Sequence, residues 1–132
     1  MSVRVAGVWE AQQRLVALPI DDQGAALTPI TAPRTPEGRR YLLDCLVTVG
    51  IDTLVVTDRN DQIIACAHHV RLRVYTAPHA LVNAVRDAAG LKERPLRHSA
   101  AMLARFALNP MLRPYLRQTF PPQPQRQQLA LF

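Results

Sequence analysis

Two apolar, β-prone runs, Val3 to Val8 and Arg14 to Ile20, are joined by Trp9-Glu10-Ala11-Gln12-Gln13, and Asp21-Asp22-Gln23-Gly24 supplies turn chemistry before a third run, Leu27 to Thr31. This pattern predicts a three-stranded antiparallel meander. The period then changes. Thr35-Pro36-Glu37 has the form of a helix start: a hydroxyl N-cap, proline at the first helical position and an acid in the first turn. Tyr41, Leu42, Cys45, Leu46 and Val49 follow at helical spacing, and Gly50 is placed to close the helix.

Ile51 to Thr57 reads as a buried strand ending at Asp58-Arg59-Asn60-Asp61, where an Asn or Asp can cap a helix over Gln62 to His69. Val70 to Tyr75 is the fifth strand candidate. Helices are predicted over Pro78 to Ala89, closed by Gly90, and over Ser99 to Leu108 after the break at Pro95, with a last short one opened by Asn109-Pro110. The order of elements predicts an α/β fold in which a mixed sheet, three antiparallel strands and then alternating helix and strand, is flanked by helices. From Pro121 the chain turns to Pro, Gln and Arg, so a domain over residues 1–119 and a flexible tail over 120–132 are expected.

Composition narrows the class. Apolar residues make up 48% and charged ones 20%, proportions that fit a globular protein and exclude global disorder. No basic leader precedes a long apolar run and no stretch reaches bilayer length, so a cytoplasmic protein without a membrane partner is expected. Cys45 and Cys66 each lie in an apolar segment, which favours core packing over a disulfide or a metal site. The adjacent His68 and His69 point about 100° apart on a helix and cannot chelate one ion together; a helix C-terminus, which favours positive charge, accounts for them.

The charge is uneven. Residues 1–91 carry nine Lys/Arg and nine Asp/Glu, whereas residues 92–132 carry seven against one. A basic segment of this kind contacts polyanions, DNA above all, or simply solvates a surface. Arg94, Arg97, Arg105, Arg113 and Arg117 are the candidate phosphate contacts.

The meander followed by helix, strand, helix, strand and helix is the order of the ribonuclease H-like fold. More locally, Val5-Ala6-Gly7-Val8 leading into Leu15-Val16-Ala17-Leu18-Pro19, then Leu54-Val55-Val56-Thr57-Asp58, and later Arg97-His98-Ser99-Ala100-Ala101-Met102-Leu103-Ala104-Arg105-Phe106 resemble the RuvC-like catalytic domain of IS110-family transposases. The resemblance implies a site in which carboxylates from the first strand, the end of the fourth strand and a late helix hold two divalent metals about 4 Å apart. Here the first-strand position falls at Trp9, with Glu10 the nearest acid, and the late-helix position falls near His98, Ser99 and Ala100. Asp58 alone matches, and an Asp after a buried strand also serves as a helix cap or turn former. Glu10, Asp58 and His98 are therefore the candidate catalytic set, with Mg2+ or Mn2+ needed only if a nuclease operates. The reading itself expects an inactive domain with no cofactor.

The last five residues, Gln128-Leu129-Ala130-Leu131-Phe132, resemble the bacterial sliding-clamp-binding motif, usually Gln-Leu-Ser/Asp-Leu-Phe. Leu131 and Phe132 suit a hydrophobic pocket, Leu129 a second contact and Gln128 a register-setting hydrogen bond. Ala130 departs from the polar residue usual at its place. The competing reading folds these side chains back onto the same domain or onto a neighbouring subunit. Together the features predict a DNA replication, repair or mobile-element accessory protein that docks on the sliding clamp, the DNA polymerase III beta subunit. The alternatives are a metal-dependent RuvC-like nuclease or resolvase, and a protein-binding adaptor.

Overall fold

The computed structural model describes residues 5–122. Their elements are β1 (Val5–Glu10), β2 (Arg14–Ile20), β3 (Ile30–Pro33), α1 (Pro36–Thr48), β4 (Thr53–Thr57), α2 (Asp61–His69), β5 (Arg73–Ala77), α3 (His79–Ala88), α4 (Leu96–Phe106) and β6 (Arg117–Thr119), with short 3-10 turns at Leu91–Glu93 and Arg113–Tyr115. The strands form one six-stranded sheet in the order β3-β2-β1-β4-β5-β6. β1 pairs antiparallel with β2 and parallel with β4, β4 and β5 are parallel, and the edges β3 and β6 run antiparallel to their neighbours.

Strand alternation sorts the core into two layers. On one face Ala6, Val8, Leu54 and Val56 meet Leu42, Leu43 and Leu46 of α1 and Ile63 and Ala67 of α2. On the other, Val5, Val55 and Ala77 meet Val82 of α3 and Met102, Leu103 and Phe106 of α4, while Val16 and Leu18 of β2 meet Ala100 and Ala101. Gly7 lies on this second face. A Cβ built there would stand 2.6 Å from Ala104 N and closer still to the Ala100 carbonyl, so helix and strand touch backbone to backbone.

Several expected elements form with shifted limits. Thr35 caps α1 as predicted, its hydroxyl accepting the Gly38 N–H at 3.0 Å, and Gly50, at φ 90°, follows the helix end. The buried face of α1 is nonetheless rotated from the predicted stripe: Tyr41 and Val49 are exposed, while Arg39 and Leu43 are buried beside Leu42 and Leu46. On the exposed face of α1, a hydrogen bond to Cys45 raises the Tyr41 phenol above its ordinary pKa. β1 runs on through Trp9 and Glu10, which pair with Val16 and Leu15. β3 starts at Ile30 instead of Leu27, because after a single bridge from Ile20 to Ala26 the chain leaves β2, and Pro29 has no N–H to continue the ladder.

β6 is an addition to the predicted order. Its sequence, Arg-Gln-Thr, has no apolar alternation, and it forms by backbone pairing with β5. Its side-chain anchor is Thr119, whose hydroxyl donates to the Val74 carbonyl at 3.3 Å and lies 2.8 Å from His68 Nε2. His68 thus ties α2 to the sheet edge, a role beyond the helix-end charge expected of it. Cys45 and Cys66 are free and half-buried. Among the described residues no helix is long and apolar enough to cross a membrane.

The Gly7 contact yields a direct prediction. Gly7→Ala forces a methyl group into the α4 backbone and is expected to destabilise the domain by about 3 kcal/mol or more, since overpacking against backbone cannot relax by side-chain rotation. Thermal and urea unfolding of the variant measure this; a change within about 0.5 kcal/mol contradicts the close packing.

Candidate functional site

Ligands of open sheets with parallel strands gather beyond the strands' carboxyl ends, which here are Trp9-Glu10, Thr57-Asp58 and Ala77-Pro78. Trp9 follows Val5 and Gly7 in the strand alternation and so faces α3 and α4. The Arg86 guanidinium lies over its ring, 4.6 Å from the centroid. Arg86 Nε donates to Ser99 Oγ at 2.9 Å, and Ser99 is fully buried in the first turns of α4.

Asp58 enters from β4. Its N–H donates to the Ala77 carbonyl at 3.0 Å, and its Oδ1 accepts the N–H of His79, the first residue of α3, at 3.1 Å. The capping role expected of Asp58 is therefore played for α3 and not for α2, whose N-cap Asn60 makes no side-chain cap bond. One turn into α3, Asn83 Nδ2 stands 3.0 Å from His79 Nε2. His79 Nδ1 is buried with no hydrogen-bond partner among the described residues. His79, Asn83 and Arg86 fall at helical positions i, i+4 and i+7, one stripe along α3. Two sets of contacts thus lie along this stripe, one joining Asp58, His79 and Asn83 and the other, one turn on, joining Arg86 to Ser99 and Trp9.

Glu10 is absent from that chain. One residue beyond Trp9 in the same strand, it points to the opposite face. There its buried carboxylate, 3% exposed, accepts Arg34 Nε at 2.8 Å and Arg39 Nη2 at 3.3 Å, and Arg39 is itself 7% exposed. His98 is half-buried beside Ser99 but projects about 100° from it around the helix, and its side chain joins none of these contacts. The structure does not bring Glu10, Asp58 and His98 together, and among the described residues no three His, Cys, Asp or Glu side chains are grouped so as to hold a metal ion.

The positions at which the resemblance puts carboxylates hold Trp9, Asp58 and, on α4, the stretch His98-Ser99-Ala100. One carboxylate, Asp58, with a tryptophan ring and a serine already bonded to a guanidinium is not a donor set for two divalent cations, whose hard charge calls for several carboxylate oxygens. The residues present do not fit that metal pair. They do fit a cation supplied by the chain itself.

Arg94, Arg97, Arg105, Arg113 and Arg117 are all exposed. They do not form one patch. Arg94 precedes α4 and Arg97 lies in its first turn, about 200° around the helix from the buried Ser99. Arg105 lies at its far end, where Nε donates to the Gly24 carbonyl at 3.1 Å. Arg113 lines a cavity of about 400 Å³ with Arg73, Tyr75, Thr53 and Val5, at the amino ends of the parallel strands. Arg117 sits on the β6 edge. Arg86, the basic residue at the centre of the site, was missed because its sequence context is a plain amphipathic helix; the i, i+4, i+7 spacing from His79 was the available signal. Gln128, Leu129, Leu131 and Phe132 lie outside the described residues.

No protein-family model matches this chain, and no curated protein matches it in sequence. Among solved structures it is similar to RuvC from T. thermophilus in complex with a Holliday junction substrate, with a TM-score of 0.55 and 15% identity, covering 77% of this chain and 90% of that one. The chain therefore has the RuvC-like, ribonuclease H-like fold that its element order predicts.

The Glu10 ion pairs make a structural role testable. Glu10→Ala leaves the buried Arg39 charge uncompensated and is expected to cost about 3–5 kcal/mol of stability, the range for removing one partner of a buried pair. Chemical denaturation of the variant checks this, and a loss below about 1 kcal/mol contradicts it.

Proposed function

We propose that this chain is a RuvC-like DNA-binding protein that holds DNA without cutting it and is brought to its sites by the sliding clamp. The observation that carries the reading is the replacement at the carboxyl end of β1 and in the first turn of α4, where Trp9, Ser99 and the bridging Arg86 guanidinium leave Asp58 as the one acid at the positions of the implied carboxylate cluster. A positive charge at that point repels divalent cations and attracts phosphate. The basic balance of residues 92–132 and the Holliday junction bound by the structural neighbour support DNA as the ligand. The sequence patterns shared with IS110-family transposases support a mobile-element setting.

Clamp docking is supported by the terminal Gln128-Leu129-Ala130-Leu131-Phe132 peptide, behind a Pro/Gln spacer. Burying three such apolar side chains at roughly 1.5–3 kcal/mol each supports a transient tether after the entropic cost of association. Tethering raises the local concentration of the domain on DNA.

Incubating the protein with branched, nicked and linear DNA in Mg2+ or Mn2+ is expected to give binding that weakens steeply with salt and no cleavage above a buffer control. Metal-dependent strand cleavage abolished by Asp58→Asn supports the nuclease alternative and overturns this reading. Titrating purified clamp with the intact chain and with one lacking Gln128 to Phe132 tests the tether. Binding by the intact chain alone is expected, and Leu131→Ala with Phe132→Ala should match the deletion; equal binding by all forms, or binding by none, contradicts it.

A further inference from the structure

We infer that Arg86 is the seat for one backbone phosphodiester of DNA, its guanidinium doing with a fixed side-chain charge what the resemblance assigns to bound metal ions; the inference rests on the DNA-binding reading above. The guanidinium is held on two sides. Its face lies against the Trp9 ring at 4.6 Å, and its Nε–H is taken by Ser99 Oγ at 2.9 Å. Because Ser99 is fully buried on α4 and Trp9 is paired into β1, neither support is free to swing.

What remains of the group is its outer edge. Among the described residues no acceptor engages either Nη, and Arg86 is half-buried, so these donors face outward from a fixed base. Among the described residues no acid forms an ion pair with it. The Asp58 oxygen nearest α3 is taken by the His79 N–H, Glu10 is bonded to Arg34 and Arg39 on the opposite face, and Asp87 pairs with Lys92 at 2.7 Å. An arginine ordered by structure and lacking a counter-ion presents parallel N–H donors that match two oxygens of a phosphate.

The surroundings choose phosphodiester over a carboxylate peptide. Residues 92–132, which include α4, carry seven Lys/Arg against one Asp/Glu, an excess of charge that suits a ligand with repeated anionic groups. The location beyond the carboxyl ends of β1 and β4 is where a sheet of this kind receives its ligand. Ser99 and Trp9 are positioning residues for Arg86; the contact to the ligand is made by Arg86 itself.

The test measures binding of the full chain to a 20-base-pair duplex across a salt series, with Arg86→Gln and Arg86→Lys, while the Arg86 Nε–H resonance of the wild-type chain is followed by NMR. Arg86→Gln is expected to lower affinity roughly 5- to 20-fold and to reduce the slope of log affinity against log salt by about 0.9, the loss of one phosphate contact. Arg86→Lys, which keeps the charge and loses the fork, should fall between. DNA should shift the Arg86 resonance saturably, a readout that holds even if Arg86→Gln does not fold.

Equal affinity and slope for the folded variants, with an unmoved resonance, overturns the phosphate seat and leaves the DNA-binding reading standing. If the wild-type chain binds no DNA, that reading falls and inorganic phosphate becomes the probe. A saturable shift of the Arg86 resonance then keeps the seat as a site for free phosphate, and no shift overturns it. Binding to an acidic peptide but to neither DNA nor phosphate also overturns it.

Discussion

The candidate site depends on the backbone-to-backbone contact between Gly7 and α4. With no Cβ at Gly7, the Ala100 carbonyl and the Ala104 amide lie directly on β1. That fixes the register of helix against strand. One residue before Ala100 is Ser99, and two residues after Gly7, on the same face, is Trp9. Both are thereby brought to a common point, where Arg86 enters from α3 and bonds to each. A larger residue at position 7 separates the layers and disperses the three side chains together.

Strand alternation then decides what kind of chemistry the point can hold. Trp9 and Glu10 are neighbours in sequence and lie on opposite faces of the sheet. The carboxylate goes to the α1 side, where it offsets two arginines, one of them buried; the ring goes to the α4 side, where it supports a third. The two faces therefore use arginine differently. On the α1 face the charge is paired internally and serves the fold. On the α4 face Arg86 is held by Ser99 and Trp9, and among the described residues no acid is bonded to it.

Much of the fold was legible because it rests on local chemistry. The turn at Asp21 to Gly24, the Thr35-Pro36-Glu37 helix start and the buried run ending at Asp58 each act within a few residues, and their order leads to the ribonuclease H-like architecture. β6 was not legible, since Arg117 to Thr119 form a strand only because the β5 edge offers unpaired backbone. The rotated face of α1 has a similar cause: Arg39 is drawn inward by Glu10, 29 positions earlier. At the site, Asp58 and its capping role could be read, but its partner His79 is 21 residues away and could not. The Trp9, Arg86 and Ser99 cluster joins three distant segments, and no spacing rule connects them.

The proposed function requires that the Arg86 guanidinium, at the carboxyl end of β1, stand where divalent metal would otherwise bind. Adding Mn2+ to the isotopically labelled full chain measures this directly, because a bound paramagnetic ion broadens the resonances around it. No selective broadening is expected at Asp58, Trp9 or Ser99 at millimolar Mn2+, in either the absence or the presence of duplex DNA. Saturable broadening centred on Asp58 would contradict it.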